Sequence, residues 1–163
     1  MRNIPGASKD FRHRPRHPSH LNIMKRSGAS IIFINSRNEV LLLLRDDKPD
    51  IPYPNMWDLP GGHVEENETS EACIAREMQE EIETDVSSCR LHAVYDFPDR
   101  IEHIFLMDLD TAAEEITLHE GQRLRWFSLH ELEGLPLAYG FDLVLSDFYT
   151  ALQQNKVTTR PKT

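Results

Sequence analysis

Three glutamates, Glu77, Glu80 and Glu81, fall at i, i+3 and i+4 in a stretch whose apolar residues recur at helical spacing. An α-helix advances about 100° per residue, so the three carboxylates share an arc of roughly 100°. Ile74, Ala75, Met78 and Ile82 form a separate apolar stripe that should face a core. Glu77 and Glu81 border that stripe instead of opposing it, which sets them at the rim of a cleft. Like charges at this spacing cost about 0.2–0.5 kcal/mol per exposed pair. A hard divalent cation held by carboxylate oxygens offsets that cost. A plain solvated acidic face is the simpler alternative. The rim position, and the bare backbone of Gly61 and Gly62 just ahead of the helix, favour the cation site.

The chain has 163 residues, 39% hydrophobic and 28% charged, which suits one domain with a full core. No apolar run approaches the roughly 18 residues that a bilayer span requires, and the N-terminus lacks the apolar segment of a secretory signal. Cys73 and Cys89 lack zinc-type or CxxC spacing and read as buried thiols in a reducing, cytoplasmic setting. Residues 1–26 carry seven Lys/Arg against Asp10, a local charge of +6, and the whole is −9, so the remainder carries −15. A body so acidic repels nucleic-acid backbones, and neither nucleic acid nor membrane is expected as a partner. Residues 1–23 read as a basic N-terminal extension, 24–155 as the domain and 156–163 as a tail.

Ala29–Ile34 reads as a strand, Asn35–Asn38 as a turn, and Val40–Leu44 as a strand buried on both faces. Asp46–Asn55, with three prolines, is a loop, and Trp57–Pro60 an extended entry to the glycines. Thr69 is the expected N-cap of a helix running to about Glu83. Val86–Phe97 and Ile101–Leu109 form a hairpin, and Leu124–Phe127 a further strand. Ser128 and Glu131 have capping-box spacing, so a short helix starts there, closed by Gly134 and Pro136. A last helix, about Phe141–Gln153, offers Leu143, Val144, Phe148 and Leu152 to the core.

Gly62, Glu68, Arg76, Glu77, Glu80 and Glu81 together resemble the signature of the Nudix hydrolases, a glycine and five polar residues at fixed spacing. VLLLLR, WDLPGG and RWFSLHEL are also similar to that family, extending the resemblance over roughly Ser27 to Leu135. It implies an α/β fold, the Nudix-type α/β/α sandwich with a mixed central sheet. Two positions depart from the pattern: Glu83 stands where the family has glycine, and Thr84 where it has an aliphatic residue. Glycine there leaves the helix in a left-handed conformation. Glu83 does so at a cost, so the helix is expected to end one residue later or through a different turn.

The resemblance implies metal-dependent cleavage of a diphosphate linkage in a nucleoside triphosphate or related nucleotide, with Mg²⁺ or Mn²⁺. It gives the metal to Glu77, Glu80, Glu81 and the carbonyl of Gly61, and makes Glu68 and Arg76 a structural pair. Which acid takes the proton of the attacking water stays open among Glu80, Glu81 and an outside residue, for which Glu120 is the candidate. Tyr53, Trp57 and Tyr139, with Phe97, are placed to stack a base, and simple packing explains each equally well. ADP-ribose or a nucleotide sugar is the rival substrate, Pro98 lying about one residue from the position expected for it. A non-catalytic nucleotide-binding module is the rival class, and a homodimer stays open. His63, His103 and His119 carry no spacing that suggests a site.

Overall fold

The computed structural model describes residues 24–158. The basic extension 1–23 and residues 159–163 of the expected tail lie outside them, whereas residues 156–158 of that tail belong to the last helix. Two strands, β1 (Arg26–Ile34) and β2 (Val40–Leu44), are followed by the two-residue β3 (Trp57–Asp58) and by β4 (Gly61–His63). Helix α1 (Ser70–Ile82) leads to β5 (Arg90–Asp96), β6 (Arg100–Asp108) and β7 (Arg123–Phe127). Helices α2 (Leu129–Leu132) and α3 (Phe141–Thr158) close the described chain.

The sheet runs β3-β2-β1-β6-β5, with β4 also on β1 and β7 also on β2. β1 pairs parallel with β6 along its whole length, while its other pairings are antiparallel, so the sheet is mixed as expected. The alternation of strand side chains divides two cores. Ala29, Ile31 and Phe33 face α1 through Cys73, Ile74, Met78 and Ile82. Ile32 and Ile34 join Val144, Leu145 and Phe148 of α3 on the other face. This is the sandwich, and it explains why Val40–Leu43 is buried throughout.

Local differences have local causes. Ala75 is exposed and Cys73, two residues earlier, takes its place in the core stripe. β5 starts at Arg90 because Asp85 accepts the Ser87 N–H at 2.9 Å and turns the chain first, leaving Cys89 just outside the strand. In α3, Leu143 is 51% exposed, while Leu145 and Tyr149 join Val144 and Phe148 inside. Thr69 caps α1 through its side chain, and the Ser128–Glu131 capping box is formed.

The helix exit overturns the expectation. Glu83 itself adopts the left-handed conformation, φ 49° and ψ 37°, with its N–H on the carbonyl of Met78. The chain thus leaves α1 at the family's glycine position, and the strain is borne there.

Candidate active site

β1 sets the site by pairing with two strands at its N-terminal half. Ser30 lies opposite Gly61 of β4, and Gly28 opposite both His63 and Glu102. A Cβ on Gly61 would overlap the Ala29 carbonyl and Ser30, and one on Gly62 would overlap the carboxylate of Glu77. The glycine pair therefore lets the acidic face of α1 lie directly on the β4 backbone.

Glu81 is 6% exposed, and its Oε2 is buried without a partner. Burial first, then the negative charges of Glu77 and Glu120, push its carboxyl up to about 8, against the favourable N–H of Gly61. Arg76 organises the neighbouring acids. Its Nε and Nη2 donate to the two oxygens of Glu68 at 2.8 and 3.0 Å, and Nη1 donates to Glu77 at 2.8 Å. Nη2 also donates to the His63 carbonyl at 3.2 Å, tying helix to glycine strand. The Arg76 guanidinium holds the Glu68 carboxyl down to about 2. Arg76 and Glu68 are thus bridged through both carboxylate oxygens.

Gly61, Glu77, Glu81 and Glu120 line one cavity of about 430 Å³, with Asp58 and Tyr139 also on its walls. Glu80 is not among its lining; its side chain is 60% exposed, with one oxygen 3.4 Å from Arg76 Nη1. Tyr53 reaches the site through Tyr139, the ring centroids lying 4.6 Å apart, and both tyrosines have left-handed backbone. Trp57 stands off the cavity, edge-on to Phe127 at 4.8 Å. Phe97 lies under the Arg100 guanidinium at 4.2 Å.

Sequence reasoning missed a second polar layer in the same cavity. Arg45 pairs with buried Asp58 at 3.0 Å, and burial pushes the Asp58 carboxyl up to about 6 despite that partner. Arg100 donates to Glu102 at 2.7 Å and to the Tyr139 carbonyl at 2.7 Å, and Ser30 donates to Glu102 at 2.8 Å. An acid set between Trp57 and Leu59 was the available signal for Asp58; none marked Glu102. His119, read as an ordinary polar residue, contacts Glu83. Cys73 is buried, its thiol donating to the His63 carbonyl at 3.3 Å and pushed up to about 12 by burial, which removes it as a nucleophile.

Among the described residues no three His, Cys, Asp or Glu side chains converge tightly enough to enclose an ion as they stand. The donor chemistry nevertheless fits a hard cation: the site offers carboxylate and carbonyl oxygen, and Glu81 Oε2 is a buried acceptor with no protein donor.

A family model described as NUDIX domain matches residues 24–148. The 8-oxo-dGTP diphosphatase of Proteus vulgaris is 40% identical over 80 residues, covering 48% of this chain and 68% of that protein. The putative 8-oxo-dGTP diphosphatase of Bacillus subtilis (strain 168) is 28% identical over 139 residues, 84% of this chain and 89% of that one. In fold, the chain is similar to the DR0079 protein of Deinococcus radiodurans, with a TM-score of 0.66 at 16% identity over 78% of this chain and 88% of the other.

Proposed function

The chain belongs to the NUDIX domain family, and from that premise we propose that it hydrolyses a nucleoside triphosphate to a nucleoside monophosphate and pyrophosphate. The observation that carries this reading is Glu81, a buried carboxylate with an unpartnered oxygen, set beside Glu77 and Glu120 in a cavity floored by glycine backbone. The two relatives whose names specify an 8-oxo-dGTP diphosphatase support a purine triphosphate as the substrate class.

Glu77, Glu81 and the Gly61 carbonyl, which line the cavity, would hold a divalent cation, Mg²⁺ or Mn²⁺, and Glu80 would join them only by leaving Arg76. When bound, such a cation neutralises phosphate charge and makes a bound water more acidic. The remaining work belongs to the chain. Arg76 holds Glu77 against Gly62 and ties α1 to β4, so the acids do not need to be ordered when substrate arrives. On this reading Glu120, which faces the same cavity from outside the helix, takes the proton of the attacking water as an anhydride P–O bond opens. Tyr139 lines the cavity and, backed by Tyr53, is the aromatic surface proposed for the base, with the Arg45 guanidinium 5.1 Å from its ring centroid.

The test is a panel of canonical and oxidised nucleoside triphosphates, ADP-ribose and nucleotide sugars, assayed with Mg²⁺ for phosphate, pyrophosphate and monophosphate. The expected result is stoichiometric monophosphate and pyrophosphate from a purine triphosphate, with turnover lost by several orders of magnitude in Glu81→Gln. Release of AMP and ribose phosphate from ADP-ribose in preference to any triphosphate would overturn the substrate class. Binding without cleavage across the panel would overturn the reaction.

A further inference from the structure

Glu120 reaches the cavity from the segment 117–122, which is anchored on both sides of it. On one side the His119 N–H donates to the Glu81 carbonyl at 2.8 Å, and the His119 ring meets the Glu83 carboxylate at 2.6 Å. On the other, the Gln122 N–H donates to the Leu44 carbonyl at 2.8 Å, and its side chain donates to the Arg45 carbonyl and to Asn55. Gly121 between them has φ +88°, and a Cβ there would press on Leu43 and the Leu44 carbonyl.

Glu83 is the member of this arrangement that needs explaining. Its left-handed backbone costs an L-residue roughly 1–2 kcal/mol that glycine would not incur. Its side chain gives α1 no cap, because the exit is closed by backbone N–H groups of Glu83 and Thr84 on the Met78 carbonyl. As a stability device the contact is weak too, since Glu83 and His119 are both about half exposed, 51% and 49%, and even exposed charged pairs contribute about 0–1 kcal/mol. What the side chain does is reach across 36 residues to the neighbour of Glu120.

We propose that Glu83 and His119 are positioning residues for the reaction, a clasp that fixes Glu120 against the Glu77–Glu81 face. The inference rests on the hydrolase reading above. It goes beyond that reading by giving a role to two residues outside the acidic cluster, one of them at the position where the chain departs from the family pattern. The clasp acts on where Glu120 stands, so its loss should lower kcat and leave the nucleotide KM nearly unchanged.

Glu83→Gly tests it cleanly, because glycine suits the left-handed position and the helix exit stays formed. The expected result is a melting temperature at or above that of the unaltered chain, with kcat lower by about tenfold, in the range that small displacements of a reacting group produce. Glu83→Gln, which can still accept a hydrogen bond from His119, should restore most of the rate. His119→Ala should match Glu83→Gly, and Glu83→Gly combined with Glu120→Gln should be no slower than Glu120→Gln alone. In the metal-free protein, amide exchange of residues 117–122 should quicken in Glu83→Gly and His119→Ala while α1 stays protected. An unchanged kcat with unchanged exchange in Glu83→Gly would overturn the clasp. So would losses that multiply in the double variant with Glu120. Should the unaltered protein cleave nothing, the hydrolase reading fails by itself, and the exchange arm still decides whether the clasp holds the segment.

Discussion

Asp58 shows how much of the site lies in contacts that sequence spacing does not encode. It sits 13 residues from its partner Arg45, yet the two meet at 3.0 Å with one carboxylate oxygen left buried and unpartnered. The glycine pair, Glu77, Glu81 and the Arg76–Glu68 bridge were legible because they fall within one short stretch, from β4 through the following loop to α1, where spacing fixes much of the geometry. Asp58, Arg100, Glu102 and the Glu83–His119 contact were not, because strand order brings them together. Asp58 also gives a signed pH prediction. Its carboxyl is raised to about 6 in the fold, mainly by burial, from an ordinary 3.8. The native state therefore holds a proton that the unfolded chain releases between about pH 4 and 6. Stability from this group is fully present below pH 4 and is lost as pH rises through 6, by on the order of 3 kcal/mol. Replacing Asp58 with Asn should flatten that part of the curve. Urea unfolding of both proteins at pH 4, 5, 6 and 7 measures it, and an unchanged slope in the variant would refute the assignment.

At the scale of elements, periodicity read type well and phase less well. α1 was visible in its cap, its apolar stripe and its acids, but the stripe includes Cys73 and omits Ala75. The difference is one of rotation, set by how α1 lies on β1 and β4. α3 shows the same effect, with Leu143 turned outward and Tyr149 inward, where its hydroxyl donates to the Asn38 carbonyl at 2.8 Å. β5 ended up shorter than its apolar content suggests because the Asp85 turn competes with the ladder. The α1 N-terminus permits a quantitative check. Thr69 accepts the Ala72 N–H at 3.1 Å, so Thr69→Ala should cost about 1 kcal/mol and Thr69→Ser distinctly less. Chemical denaturation would show it as a lower midpoint with an unchanged m-value. A Thr69→Ala protein as stable as the original would mean that the cap contributes nothing to the fold.

Across the whole molecule, the cavity exists because β1 is shared. Its parallel partner β6 comes from more than 70 residues away, and its antiparallel partner β4 delivers the glycines, so three distant segments meet at one end of the sheet. That convergence gathers Glu77, Glu81, Glu120, Asp58 and Glu102 around one space, inside a chain whose residues beyond position 26 carry −15. Such a site is electrostatically costly, and the proposed cation would offset that cost and so link its binding to folding. Mg²⁺ at about 100 times its dissociation constant should stabilise the protein by about 2.7 kcal/mol. For a domain of this size that is a rise in Tm of roughly 5–10 °C. A chelator should reverse it. Glu81→Gln removes the ligand and a carboxyl whose charged form burial disfavours, so its metal-free Tm should equal or exceed that of the unaltered protein while its response to Mg²⁺ largely disappears. Thermal melts of both proteins with Mg²⁺ and with chelator separate the two effects without any turnover assay. An equal Mg²⁺ shift in both proteins would place the cation somewhere other than Glu81, and the reading of its unpartnered oxygen would fall with it.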